Sequence, residues 1–238
     1  MNIKKLLNII FPVKCACCQK ISESADGEDI LCQKCREEID EVATIECAKC
    51  KKPPHLCRCK ALEHIDEVVF AYFYAGDKLK RAIYKMKRSN LLYINEFFAK
   101  AMYASLKSSG RVPMETLDAI TYAPRMKSSI NYYGYNQTER LARLISKYVG
   151  IAHMPTLVAS SSYKKEQKSL NKTQRAQNVK NKFSIAKKIK KSKISLKGKN
   201  ILIIDDVTTS GSTLSECAKV LKAAGAKNVY ALCTASVL

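Results

Sequence analysis

Two stretches of the chain hold residue types at spacings that could do chemistry. The first is Ile201 to Thr213, ILIIDDVTTSGST. Its four leading apolar residues fit a strand buried on both faces, and two acids and a run of small hydroxylated residues then lead into a helical pattern. Ligands in open α/β sheets bind outside the carboxyl ends of the strands, which is where this run would lie. The short side chains from Thr208 to Ser212 and the permissive Gly211 let amide N–H groups and hydroxyls converge on one phosphate, and the following helix adds its positive end. Thr213 and Glu216 have capping-box spacing, and Leu214, Cys217, Ala218 and Leu221 form an apolar stripe that docks the helix. Asp205 and Asp206 would repel a bare phosphate, so they must face sugar hydroxyls or a hydrated magnesium ion. The GxxxxGK[ST] pattern of a Walker loop is absent. The competing reading is a buried strand closed by a solvated acidic turn.

The second stretch holds nine of the eleven cysteines, all before residue 60. Cys15-x-x-Cys18 with Cys32-x-x-Cys35 makes one set of four thiolates, and Cys47-x-x-Cys50 with Cys57-x-Cys59 makes another. Paired turns bearing four sulfurs suit tetrahedral Zn2+, one or two ions in all, and a segment too small for an apolar core needs such a staple. The two sets could instead cross-brace, His55 could replace one cysteine, and Cys17 competes with Cys18 by position. Cys217 and Cys233 read as core packing.

The elements that must position these groups follow from patterning. Residues 1–60 are expected to form the zinc-binding module and residues 61–238 an α/β domain with a mainly parallel sheet flanked by helices. Strands are expected at Asp66 to Tyr74, Leu117 to Ala123, Thr156 to Ser160, Asn200 to Asp206 and Asn228 to Ala235. Two helices should follow the first strand, one should cover about Tyr135 to Tyr148, and one should run from Ser212 to Ala224 before a Gly225 stop. Tyr163 to Lys199 carries fourteen Lys or Arg against the single acid Glu166, and like-charge repulsion should keep it solvated and mobile.

The formal net charge of +21 over 238 residues suits a polyanionic partner such as nucleic acid, an acidic membrane or phosphate esters. The opening MNIKKLLNIIFP lacks the apolar length and cleavage site of a signal peptide, and no later segment reaches the roughly 20 apolar residues of a membrane span. We therefore expect a cytoplasmic protein with reduced thiols, the alternative for its first turn being an amphipathic segment that rests on a membrane surface.

The stretch Ile201 to Thr213 resembles the signature of type I phosphoribosyltransferases. That resemblance implies that Asp205 and Asp206 contact the ribose hydroxyls of phosphoribosyl pyrophosphate (PRPP), bound with Mg2+. It also implies that Val207, Thr208, Thr209, Ser210, Gly211, Ser212 and Thr213 hold the 5-phosphate. Upstream, the strand ending Tyr122-Ala123-Pro124 meets Arg125 and Lys127, and Pro124, Arg125 and Lys127 are placed on the pyrophosphate side with Arg125 as a catalytic cation. Next comes Tyr133-Gly134-Tyr135-Asn136-Gln137, then Leu141-Ala142. This resembles the RGFNQ-like box of the ComF family, with Tyr133 where that family has arginine. Gln167, Leu170, Arg175, Asn178 and Phe183 match the family's spaced pattern in the basic loop. In related transferases such a flexible hood loop closes over the site, which would exclude water.

Together with the cysteine module, the resemblance spans nearly the whole chain. It implies a type I phosphoribosyltransferase fold, a role in natural transformation and DNA uptake, and contact with other competence proteins at the inner membrane. Lys164, Lys165, Gln167, Lys168 and Arg175, with Tyr132, Tyr133, Tyr135 and Tyr163, would offer charge and stacking faces to single-stranded DNA. The alternative is an active transferase: diphosphate leaves the anomeric carbon and a nitrogenous acceptor bonds there, releasing a proton.

Overall fold

The structure, a computed structural model, describes residues 14–21, 31–88, 92–124, 134–154, 158–160, 183–187, 189 and 194–237. Its centre is a four-stranded sheet in which every pairing is parallel. The strands are β1 (Glu67–Phe73), β2 (Ala119–Tyr122), β5 (Asn200–Thr208) and β6 (Asn228–Ser236), in the order β1-β6-β5-β2. The expected α/β architecture is therefore present. Helices α1 (Gln33–Thr44), α2 (Asp77–Arg88), α3 (Leu92–Ser109), α4 (Gln137–Val149) and α5 (Ser212–Ala223) accompany the sheet.

Strand β5 is apolar at consecutive positions because both of its faces are covered. Ile201 and Ile203 join Leu214, Cys217, Ala218 and Leu221 of α5 in one cluster. Leu202 and Ile204 join Phe98 and Met102 of α3 and Leu141 and Ile145 of α4 in the other. Helix α2 buries Leu79, Ala82, Ile83 and Met86, the i, i+3, i+4, i+7 stripe of an amphipathic helix, and carries Asp77 in its first turn and Lys85, Lys87 and Arg88 in its last. Asn136 caps α4 by accepting from the Glu139 amide at 3.4 Å, and Gly150, at φ 77°, ends it in the left-handed conformation.

Three expectations are corrected. Thr156 to Ser160 reads as part of the main sheet, but β3 (Val158–Ser160) pairs antiparallel with β4 (Phe183–Ile185) in a separate two-stranded sheet. The main sheet's edge is extended instead by a short parallel bridge between His153 and Ile120, with His153 stacked on Tyr122. Strand β5 continues two residues beyond Asp206, because β-branched Val207 and Thr208 find partners in Ala235 and Ser236 of β6. The capping box does not form: α5 starts at Ser212 with Gly211 as its N-cap and no side-chain cap, which puts Thr213 inside the first turn.

The cysteine-rich segment shares the domain's core. Ile39 and Val42 of α1 cluster with Val69, Leu79 and Ala82, and a Cβ on Gly76, at φ 66°, would meet Val42 Cγ2 at 2.7 Å. Arg111, its side chain 7% exposed, ties the second cysteine turn to β1 by donating to the carbonyls of Cys57 (3.5 Å) and Val68 (2.6 Å) while pairing with Glu67 (3.2 Å). No helix among the described residues is long and apolar enough to cross a membrane.

Candidate functional site

Parallel strands put the ends of β5 and β2 at one edge of the sheet. Ala123 donates to the Ile204 carbonyl at 2.9 Å, so half-buried Pro124 follows directly beside the start of the acid pair. Asp205 and Asp206 continue β5 from that point, and the crook Val207 to Thr213 follows them. Arg125, Lys127, Tyr132, Tyr133, Tyr163, Lys164, Lys165, Gln167, Lys168, Leu170, Arg175 and Asn178 lie outside the described residues. Phe183 opens β4 and packs partly buried against the α5 side of the core.

Because β5 runs through both acids, strand alternation sends their side chains to opposite faces. Asp206 is nearly buried: Lys87 Nζ lies 3.2 Å from its Oδ1 and Gln137 Nε2 donates to its Oδ2 at 2.5 Å. Lys87 lies in the last turn of α2 and Gln137 begins α4, so the carboxylate clamps two helices to the strand. Asp205, on the other face, accepts from the Asp206 amide at 2.8 Å.

The crook is built around Gly211, whose φ of 76° is the left-handed conformation that glycine adopts without strain. Ser210 and Ser212 share a hydroxyl contact at 2.8 Å, and the Ser212 amide donates to Ser210 Oγ at 3.4 Å. The amides of Thr209, Ser210 and Gly211 have no hydrogen-bond partner among the described residues. The buried Thr208 hydroxyl has none either, a deficit of about 1–3 kcal/mol unless a ligand or water meets it. Successive amides without partners among the described residues, ahead of a twelve-residue helix, are an arrangement that could receive an anion.

Sequence reading missed Lys60, Leu62 and Lys87, and it gave Gln137 no role. The Lys60 ammonium donates to the main-chain carbonyls of Thr208, Thr209 and Val237, and Leu62 packs on Gly211. No local pattern marks these residues, since their partners lie on distant segments of chain.

The cysteines form two quartets, Cys15, Cys18, Cys32, Cys35 and Cys47, Cys50, Cys57, Cys59, with all four sulfurs of each within 4.8 Å of one another. The first of the expected pairings is the one found, without cross-bracing and without His55. The Cys18–Cys32 and Cys50–Cys57 sulfurs stand 3.7 Å apart. That is close to the edge of about 3.8 Å in a tetrahedron with metal–sulfur bonds of about 2.3 Å, and far from a disulfide of about 2.05 Å. Burial opposes ionisation of Cys15, yet the amides of Cys18, Cys32 and Cys17 hold it down at about 6. The Cys50 amide, also working against burial, holds Cys47 at about 6. Burial raises Cys35 and takes Cys57 to about 12, so neither quartet ionises fully on its own; a bound cation would complete the set. Cys17 is the spare: burial pushes its thiol up to about 12 and it donates to the Lys78 carbonyl at 3.4 Å. Cys217 and Cys233 are core residues whose thiols burial raises well above the ordinary value.

Residues 139–237 match the phosphoribosyl transferase domain family. Competence protein F of Haemophilus influenzae is 27% identical over 217 residues, covering 90% of this chain and 86% of that protein. DNA utilization protein YhgH of Escherichia coli K12 is 24% identical over 223 residues, covering 93% and 90% respectively. Among solved structures, the allosteric regulatory enzyme of purine biosynthesis (21% identity, TM-score 0.36) and the glutamine phosphoribosylpyrophosphate amidotransferase from B. subtilis (22%, 0.35) are similar over 58% of this chain, which spans 25% of each.

Proposed function

We propose that this chain, which carries a phosphoribosyltransferase fold with a cysteine-rich N-terminal segment, is a ComF-type protein that binds PRPP and handles single-stranded DNA during natural transformation. The observation that carries the PRPP reading is the crook itself: three amides without partners among the described residues, a left-handed Gly211 and a helix start, following the acid pair. The 5-phosphate sits on the amides of Thr209, Ser210 and Gly211 with the hydroxyls of Ser212 and Thr213. Asp205 and Asp206 face the ribose and Mg2+, Asp206 exchanging part of its contact with Lys87 and Gln137. Pro124, Arg125 and Lys127 meet the diphosphate. In the two-unit division, residues 1–60 hold one structural Zn2+ per quartet and residues 61–238 hold the ligand.

Calorimetric titration with PRPP and Mg2+ should give saturable heat at one site per chain and none without the divalent cation. Absence of heat under both conditions would sink the reading. The DNA role draws support from the charge of +21 and from the names of the two relatives. Lys164, Lys165, Gln167, Lys168 and Arg175 are the proposed contacts, at the cytoplasmic face of the inner membrane and beside other competence proteins. Single-strand affinity should fall by about 300-fold or more between about 50 and 200 mM salt if six or more phosphates are engaged. An affinity insensitive to salt would remove the backbone-contact account.

The phosphoribosyl transferase match also supports catalysis, in which Arg125 stabilises the departing diphosphate while a nitrogen nucleophile attacks the anomeric carbon. Turnover of radiolabelled PRPP against a panel of nitrogenous bases decides between binding alone and transfer. Metal content gives a separate test of the cysteine assignment. Cys17→Ser should keep both zinc ions, whereas Cys18→Ser should lose one; the reverse would exchange their roles.

A further inference from the structure

The phosphate crook has a back as well as a front, and its back is made by the segment that leaves the second cysteine quartet. Lys60 directly follows Cys59 and lies 148 residues before Thr208. Its ammonium donates to the carbonyls of Thr208 (3.5 Å), Thr209 and Val237. Three carbonyls converging from two segments suit a compact ammonium with three donors better than a planar guanidinium.

The C=O and N–H of a trans peptide point in opposite directions. Turning the Thr208 and Thr209 carbonyls onto Lys60 therefore turns the amides of Thr209 and Ser210 the other way. Those two amides are among the three that have no partner among the described residues. Two residues on, Leu62 closes the same side: a Cβ added to Gly211 would lie 2.1 Å from Leu62 Cδ2. The Val237 amide completes the backing by donating to the Thr208 carbonyl at 2.9 Å. These contacts all lie behind the crook, and the amides of Thr209, Ser210 and Gly211 keep no partner among the described residues.

We propose that Lys60 is a positioning residue for phosphate binding, and that metal held by Cys47, Cys50, Cys57 and Cys59 governs the affinity of the crook through it. With metal bound, Cys59 is fixed and the Lys60 stem is delivered to the carbonyls. With metal lost, the turn from Cys57 to Lys60 is released and the Thr209 and Ser210 peptides can rotate, so the phosphate site loses its preformed amides. The inference rests on the PRPP reading and adds a control of that site by the neighbouring metal centre.

The test compares wild type, Lys60→Met, Cys59→Ser and the double variant, with zinc content, thermal midpoint and affinity for PRPP and inorganic phosphate measured on each. Lys60→Met should keep both zinc ions and the wild-type midpoint yet bind PRPP at least about tenfold more weakly, as expected for losing a charged hydrogen-bonding group. Cys59→Ser should lose one zinc and weaken PRPP as well, and the double variant should be no weaker than Cys59→Ser, because both changes act through one contact. Wild-type affinity in Lys60→Met, or losses that add in full, overturns the inference while leaving PRPP binding intact. A wild-type chain that takes up neither PRPP nor phosphate overturns the ligand reading itself, before any variant is compared.

Discussion

Gly211→Ala should weaken PRPP binding by about 10- to 100-fold, the equivalent of about 1–3 kcal/mol for forcing a residue with a Cβ into the left-handed region. Two effects combine. The backbone at φ 76° is strained for alanine, and the new Cβ would lie 2.1 Å from Leu62 Cδ2, so either Leu62 or the crook must move. Movement of the crook turns the free amides of Thr209, Ser210 and Gly211 away from a common focus. Gly150 supplies the control: its φ is 77°, nothing lies within 4 Å of an added Cβ, and it ends α4. Gly150→Ala should therefore cost about 1 kcal/mol of stability with PRPP affinity unchanged. Equal binding by wild type and Gly211→Ala would remove the crook from the phosphate site.

Stripping the metal should have the largest effect on stability. A structural tetrathiolate zinc contributes on the order of 10 kcal/mol to folding. The quartets carry α1 and the Cys57 to Leu62 turn, whose Ile39, Val42 and Leu62 belong to the main clusters, so the loss cannot stay within the N-terminal segment. Strong chelator should lower the thermal midpoint by at least about 10 °C, given a few degrees per kcal/mol for a chain of this size. An unchanged midpoint in chelator-treated, zinc-free protein would show that the quartets do not staple the fold. Acid should act in the same direction. Cys15 and Cys47 are depressed to about 6, so the stabilisation their thiolates give is complete above the ordinary thiol value and is lost as pH falls through about 6. Zinc retention measured across that window should fall with pH.

How much of this was legible beforehand depended on how far each interaction reaches along the chain. The run Ile201 to Ile204 states a strand covered on both faces, the DDVTTSGST run states a backbone turn at a permissive Gly211, and the thiolate spacings state two quartets as one of the pairings they allow. All three hold in the structure, since each is decided within a few tens of residues by alternation, by a missing Cβ and by tetrahedral geometry. The Thr213–Glu216 capping box was plausible by spacing and yet absent, because the N-cap is the left-handed Gly211, two residues before Thr213. Thr156 to Ser160 has strand composition, but composition does not choose a partner, and the partner proved to be β4.

What only tertiary structure decided is which distant groups meet. The order β1-β6-β5-β2 brings the last strand between the first and the crook's own strand. That placement puts Val237 beside Thr208 and lets Lys60 reach both. The same folding carries Lys87 and Gln137 onto Asp206, which turns an acid expected to face only ligand into a clamp between two helices. Local patterns follow from covalent geometry and side-chain periodicity. Contacts between segments more than a hundred residues apart depend on how whole layers stack, and no short window of residues encodes that.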